Sequence, residues 1–478
     1  MRYYQYPFRE LDSARIFSAF CEDPYALFFD SCDAEHPLSQ CSYICLDPVE
    51  TIETRQDRVI IRNEDHVWQV SGNPFDIVRE RMSVWSPDGQ MPSQTNGVHP
   101  FKAGAAGFFG YDLGRTLEQL PVRASRNEDM PDMCIGIYQT VLAFHHQSGK
   151  NILYILCDND DEAQQKSENI FSRMRCSEKP VRNTSKVDMR PTLASETLRD
   201  NIQKVIQYIY AGDIFQANIS LRFEGIRPGD FNAYAHYLAL REKNKAPFAA
   251  FLNYGNIKIA SVSPESFLSC NGGHVKTRPI KGTSPRFDTE QENMRSVLTL
   301  QNDEKSRAEN AMIVDLMRND LSRVCNDYSI NVPQLFKVES YARVNHLVSE
   351  VCGDLRLDKS PTDLLKACFP GGSITGAPKI RAMEIIEELE EKRRGPYCGS
   401  LGFIDFDGTM ETNIAIRTII HHRDKISMNV GAGIVADSLP ENEYQEILSK
   451  ARGMLESFDN GEGGKSRCQE HELWVKSA

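Results

Sequence analysis

Between about residues 25 and 75 the chain repeats short apolar runs broken by turn signals, as in YALFFDS, CSYICLDP and DRVIIRNEDHVWQVSGNP. Such runs are too short for helices and suit strands, so this region commits the fold to antiparallel hairpins that must bury at least one face. Helical patterns interrupt the strands. Segment 104–121, GAAGFFGYDLGRTLEQLP, opens with glycines at 104, 107 and 110 and then becomes helical until Pro121 stops it. Strands are expected at about 134–146 and 151–157. A long helix follows through LRDNIQKVIQYIYAGD, where Ile202, Val205, Ile206 and Ile209 share one face and Gly212 closes it. Strands and helices alternate to about residue 457, which reads as a mixed α/β protein.

At 478 residues the chain exceeds what one core usually serves. The polar stretch at 176–192, CSEKPVRNTSKVDMRPT, holds two prolines and little to bury, and is expected to be a linker between an N-terminal region (1–175) and a catalytic region (193–457). Residues 458–478 are expected to form a mobile tail. The formal charge of -12 and pI near 5.5 argue against a polyanionic partner such as nucleic acid or an anionic membrane, which the long-range field would repel. A small anionic substrate would need local positive charge. Thirteen cysteines with no CxxC pair suggest reduced thiols rather than a disulfide framework or structural zinc. No apolar signal core and no run near the roughly 20 residues needed to span a bilayer are present, so the cytosol is the expected compartment.

Candidate chemistry is scattered. In DEKSRAENAMIVDLMRNDLSRV, Glu309 shares helical spacing with Met312, Ile313 and Leu316, so its carboxylate lies along an apolar face and must be paired or bound to a cation. In PENEYQEILSKARGMLESF, Glu443, Glu446 and Lys450 flank the stripe of Ile447, Ala451 and Met454. Glu446 and Lys450 either pair as an ordinary i, i+4 bridge or, with Glu309, suit magnesium, which takes few protein carboxylates plus water and substrate oxygens. Glu265 follows Pro264 before an apolar strand, where it is either solvated or dry enough to hold a proton as a general acid. Lys281 lies in PIKGT, a rigid, low-bulk turn whose lysine either meets solvent or reaches a ligand at short range. GAGIVA at 431–436 matches a dinucleotide-binding turn, but Asp437, Ser438 and Pro440 intervene before any helix, which argues against it.

Taken together, these segments resemble the chorismate-utilising synthases, and among them the large subunits of aminodeoxychorismate synthases. The likeness runs in family order through FFDSCDAEHPLSQCSYICLDP, GFFGYDLGRTLEQLP, YAGDIFQANIS, SPESF, RPIKGT, AENAMIVDLMRNDL, NHLVSEVCG, CFPGGSITGAPKIRAMEIIEELE, RGPYCGSLGFI, NIAIRT and GAGIVADS. It implies antiparallel sheets packed face to face with helices outside. Anthranilate synthases of this family read PIAGT where this chain has Lys281. The resemblance therefore implies that Lys281 attacks C2 of chorismate as the 4-hydroxyl leaves, that Glu265 protonates that hydroxyl, and that ammonia adds at C4 and expels the lysine. At an ordinary pKa of about 10.4 only about one lysine in 2,500 is neutral at pH 7, so the site must depress it. Isochorismate and salicylate synthases carry a water-activating lysine at Gln216, which glutamine cannot replace as a base.

The resemblance further implies that Glu309 and Glu446 hold magnesium, that Arg417 and Lys450 meet substrate carboxylates, and that Gly282, Thr283, His346, Gly431, Ala432 and Gly433 border the substrate. The product would be 4-amino-4-deoxychorismate, a precursor of 4-aminobenzoate and folate. Nothing fits the glutaminase signature GxCxGxQ, and Cys134 in DMCIGIYQ reads as core, so a separate glutaminase subunit supplying ammonia is implied. Relatives hold tryptophan in a pocket to which Ser31, Pro247 and Phe248 correspond, although FFDS departs from the LLES of feedback-regulated members. The rival readings are an anthranilate synthase large subunit and a non-catalytic subunit that only binds the glutaminase.

Overall fold

The short apolar runs become strands of two large sheets, each of twelve strands among the described residues. The computed structural model describes residues 1–9, 12–33, 36–87, 99–126, 129–340 and 344–459; the expected tail lies almost entirely outside the described residues. In the first sheet the order runs from Arg2–Phe8 through Asn151–Cys157, Thr140–His145, Cys41–Leu46 and Leu27–Asp30 to Phe248–Asn253, Ile257–Ser263, Thr418–His422, Lys425–Ile434 and Gln216–Ile226. The second runs from Ile280–Pro285 and Val344–Asp354 through His274–Thr277, Ser266–Asn271, Met410–Asn413 and Ser400–Asp405 to Gly104–Phe109, Met133–Tyr138 and Glu50–Arg55. Neighbouring strands in both orders are antiparallel.

Cys41–Leu46 shows why its run is continuous rather than alternating. Tyr43 and Cys45 point into a core shared with Phe108, Tyr138, Leu401 and Phe403 of the other sheet. Ile44 and Leu46 point the other way, into a core with Ile202, Val205, Ile447 and Met454 from helices. The sheets thus pack face to face, and helices cover both outer faces, the second sheet being backed by Ile313, Met317, Leu364 and Leu365. A strand buried on both sides needs apolar residues at every position.

Both sheets take strands from either side of residues 176–192. That segment joins the helices Asp160–Arg175 and Ser195–Tyr210 and contains only the two-residue strand Arg190–Pro191. The run at 134–146 is two strands rather than one: the chain leaves one sheet after Tyr138 and enters the other at Thr140. Residues 104–109 are a strand, and the helical part of that segment is a single 3-10 stretch, Tyr111–Thr116. Among the described residues no helix is long and apolar enough to cross a membrane.

Candidate active site

The expected turn at Lys281 is instead the edge strand Ile280–Pro285, interrupted by a bulge. Ile280 pairs with Val348 and Thr283 with His346, so three steps on one strand oppose two on the other. Gly282 absorbs the extra residue at φ +84°, a conformation side-chain-bearing residues rarely adopt. A Cβ there would stand 2.5 Å from the Ser306 hydroxyl, so the bulge is pressed against the start of helix Glu304–Ser322. The bulge aims Lys281 inward, where its Nζ donates to the Ser373 carbonyl at 3.0 Å.

Opposite stands the pair of strands Gln216–Ile226 and Lys425–Ile434, in which Asn218 faces Gly433 and Ser220 faces Gly431. A Cβ on Gly433 would lie 2.5 Å from Gln216 Nε2 and 3.5 Å from Lys281 Nζ, so both side chains converge on bare backbone. Gln216 is fully buried, yet among the described residues neither of its amide atoms has a partner, nor has Asn218 Oδ1. Leaving such a group unsatisfied costs about 1–3 kcal/mol, which suits a wall built for a polar guest. Lys450 closes this side, donating to the Gly431 carbonyl at 3.2 Å and pairing with Glu446 at 2.6 Å.

Glu265 is buried just before the strand Ser266–Asn271. Burial pushes its pKa up, and the Ser373 hydroxyl, the charges of Lys281 and Lys450 and the Ile280 N–H offset this only in part. Lys281 is half-buried, and burial pulls its amine below the ordinary lysine range although Glu309 and Glu265 act against the shift. The two shifts run in the directions a neutral amine beside a protonated acid requires.

Glu309 is raised by burial, which the charges of Lys281 and Lys305 offset only in part, with smaller repulsions from Glu443 and Glu446. Glu446 moves down: burial raises it, but its bridge to Lys450 together with the charges of Lys305 and Lys281 outweighs that. Among the described residues no three His, Cys, Asp or Glu side chains converge closely enough to hold a metal ion. The half-buried carboxylate of Glu309, with Glu443 and Glu446 near it, fits a cation that takes most of its ligands from water and substrate, as magnesium does.

On the strand paired with Ile280–Pro285, His346 is buried, its pKa depressed to about 3 by burial, and it shares a 2.9 Å hydrogen bond with Thr283. Arg417 is half-buried at φ +51°, with burial lowering its pKa. Ala432 is buried opposite Ile219. Away from this cavity, Ser31 Oγ donates to the carbonyls of Cys41 (2.8 Å) and Pro247 (3.1 Å), and Phe248 begins the adjoining strand. Cys134 is buried in a strand. Gly431–Ile434 is also strand, and the next helix starts only at Pro440.

Several cavity residues escaped sequence reasoning. Ser373 lies in the 3-10 turn Gly372–Ile374, Asn218 within the strand Gln216–Ile226 and Tyr397 in the loop before Ser400, none with a distinguishing period; Tyr397 OH stands 2.9 Å from where a Gly431 Cβ would be. The sequence places Glu443 beside Glu446 and Lys450 on one helix face but gives it no role. It proves buried, accepting from Ser438 Oγ at 2.6 Å and bridging Lys305 at 3.1 Å.

The sequence profile described as chorismate binding enzyme matches residues 24–456. Aminodeoxychorismate synthase component 1 of Escherichia coli (strain K12) is 38% identical over 443 residues, covering 93% of this chain and 95% of that one. Anthranilate synthase component 1 of Thermus thermophilus is 37% identical, covering 85% and 88%. The crystal structure of anthranilate synthase component I from Streptococcus pneumoniae TIGR4 superposes with a TM-score of 0.77 at 32% identity, covering 87% of this chain and 92% of that one. With a profile match along nearly its whole length and a shared fold, the chain belongs to the chorismate binding enzyme family.

Proposed function

We propose that this protein is an aminodeoxychorismate synthase large subunit, converting chorismate and ammonia to 4-amino-4-deoxychorismate for 4-aminobenzoate and folate synthesis in the cytoplasm. The observation that carries the reading is the inward-facing Lys281 amine, depressed by burial and placed beside the raised carboxyl of Glu265. The neutral amine attacks C2, both double bonds of the conjugated ring diene shift, and the C4–O bond breaks as Glu265 gives its proton to the leaving hydroxyl, releasing water. Ammonia then attacks C4, both double bonds shift back, the C2–N bond to Lys281 breaks with its electron pair returning to the amine, and a proton from the new ammonium restores Glu265.

Glu309 and Glu446 would hold magnesium, which when bound neutralises the ring carboxylate of the substrate. Arg417 and Lys450 supply further positive charge for a dianion entering an acidic protein. Gln216 lacks the basicity to activate water, which favours amination over hydroxylation. A separate glutaminase subunit is the ammonia source in this reading, and free ammonia substitutes for it in vitro.

The similar identities of the two kinds of relative, 38% and 37%, keep anthranilate formation as the second reading. Incubating the pure chain with chorismate, ammonium and magnesium separates them. Aminodeoxychorismate without fluorescence is expected; fluorescent anthranilate with release of pyruvate supports the second reading, and no turnover at saturating ammonium supports a purely docking subunit.

A further inference from the structure

Lys305 sits in the first turn of helix Glu304–Ser322, whose N-cap, Asp303, accepts from the Ser306 N–H at 2.9 Å. Unpaired amides and the helix dipole make that end positive, so a lysine there gains nothing from its own helix and needs anions from elsewhere. A second helix supplies them. Lys305 Nζ donates to Glu443 Oε1 at 3.1 Å, and Glu443 lies in the first turn of helix Pro440–Leu455. Glu309 follows Lys305 at i, i+4 and Glu446 follows Glu443 at i, i+3, each on the same helix face as its neighbour. The two carboxylates proposed above for magnesium therefore flank the ion pair. Burial lowers the Lys305 pKa, but the charges of Glu443, Glu309 and Glu446 more than offset it and hold the amine above the ordinary lysine range. The two partners are unequally fixed. The Glu443 side chain is 4% exposed and its bonded oxygen also accepts from the Ser438 hydroxyl at 2.6 Å, whereas the Lys305 side chain is 42% exposed on a flexible four-carbon stem.

We propose that Lys305 is an internal counter-ion for the magnesium site: with no metal bound its ammonium lies on Glu443 among the carboxylates, and a divalent cation binds there only by displacing it. The proposal rests on the roles given above to Glu309 and Glu446. Carboxylates gathered on two neighbouring helix turns repel one another, so the cleft needs positive charge even when no metal fills it. Glu446 takes its share from Lys450 at 2.6 Å, and Glu443 takes its share from Lys305. A dication arriving between Glu309 and Glu446 meets the Lys305 ammonium at close range, and like charges repel more strongly in a partly dry cleft than in water. The mobile partner yields. Lys305 swings into solvent, Glu443 stays with Ser438, and the cation's charge takes over the compensation of Glu443. Because the competing ammonium is tethered, its local concentration is fixed, and it holds the cation affinity down at every magnesium level.

Lys305→Gln removes the charge and keeps a polar side chain. Magnesium chloride titrated into the chorismate-free protein by calorimetry should bind with a Kd at least about fivefold lower in Lys305→Gln than in wild type, while Lys305→Arg, which keeps a cation there, should stay within about twofold of wild type. On the wild-type chain, acylation of Lys305 by an amine-reactive reagent, read by peptide mass spectrometry, should quicken at least about threefold at saturating magnesium, because the freed amine meets solvent. Lys166 of helix Asp160–Arg175 serves as the reference. A Kd for Lys305→Gln equal to or above the wild-type value, a Kd for Lys305→Arg as low as that of Lys305→Gln, or labelling of Lys305 that magnesium leaves unchanged overturns the proposal and leaves the contact a strut between helices. Failure of the metal reading is separate: Glu309→Gln binding magnesium as tightly as wild type removes the site itself, and the proposal with it, whatever the Lys305 variants do.

Discussion

Gln216 and Gly433 meet across paired strands with the amide nitrogen of one 2.5 Å from the missing Cβ of the other. The same missing Cβ lies 3.5 Å from Lys281 Nζ, so the glycine keeps open the space where two polar side chains approach each other. Gly433→Ala should leave folding within about 1–3 kcal/mol of wild type, because the end of a flexible amide can yield. Turnover should fall by at least about tenfold, since yielding moves Gln216 or Lys281. Thermal denaturation and steady-state rates on the same sample separate the effects, and a variant with wild-type turnover would show that this space is not used.

Glu309 carries a carboxylate that burial and two neighbouring glutamates destabilise. Glu309→Gln removes that charge at nearly constant shape, so the magnesium concentration for half-maximal turnover should rise by about tenfold or more, and magnesium-dependent chorismate binding by calorimetry should weaken in parallel. An unchanged magnesium requirement would remove Glu309 from the proposed cation site.

Arg394 and Glu390 form a buried pair whose acid also accepts from the N–H and hydroxyl of Ser220, each at 2.9 Å. Removing one partner strands the other charge, so Arg394→Met should cost about 3–5 kcal/mol in denaturant unfolding. The double variant Arg394→Met, Glu390→Met should recover part of that loss. A double variant less stable than Arg394→Met alone would contradict this account of the pair.

His236 is fully buried between the hydroxyl of Ser457 at 2.8 Å and His421 at 3.3 Å, and burial depresses its pKa to about 3. An unfolded histidine titrates near 6.5, so below that value the unfolded chain takes up a proton that the folded one refuses. The stabilising contribution is complete above about pH 6.5 and declines by about 1.4 kcal/mol for each pH unit below it, down to the folded value. Unfolding midpoints between pH 7 and 5 should therefore fall less steeply in His236→Asn than in wild type. Parallel slopes would mean that His236 is not among the groups that set acid sensitivity.

Much of this arrangement was legible before any coordinates. Hairpin spacing announced antiparallel strands, and the helical periods around Glu309 and Glu446 placed both carboxylates beside apolar stripes. The bulge at Lys281 was read as a turn, because Pro279 and Gly282 signal a chain reversal and a bulge equally well; only pairing with Val344–Asp354 distinguishes them. The sheet change at Gln139 left no trace, since strands buried on both faces carry the same composition in either sheet. Ser373 was invisible because it meets Lys281 through its backbone, and no side-chain pattern records where a carbonyl points.

The amine of Lys281 remains the point on which the reaction turns. Incubating Lys281→Ala with chorismate, ammonium and magnesium, with chorismate binding measured on the same preparation, addresses it directly. The account predicts binding near the wild-type level with aminodeoxychorismate formation reduced by several orders of magnitude; turnover close to wild type would contradict it.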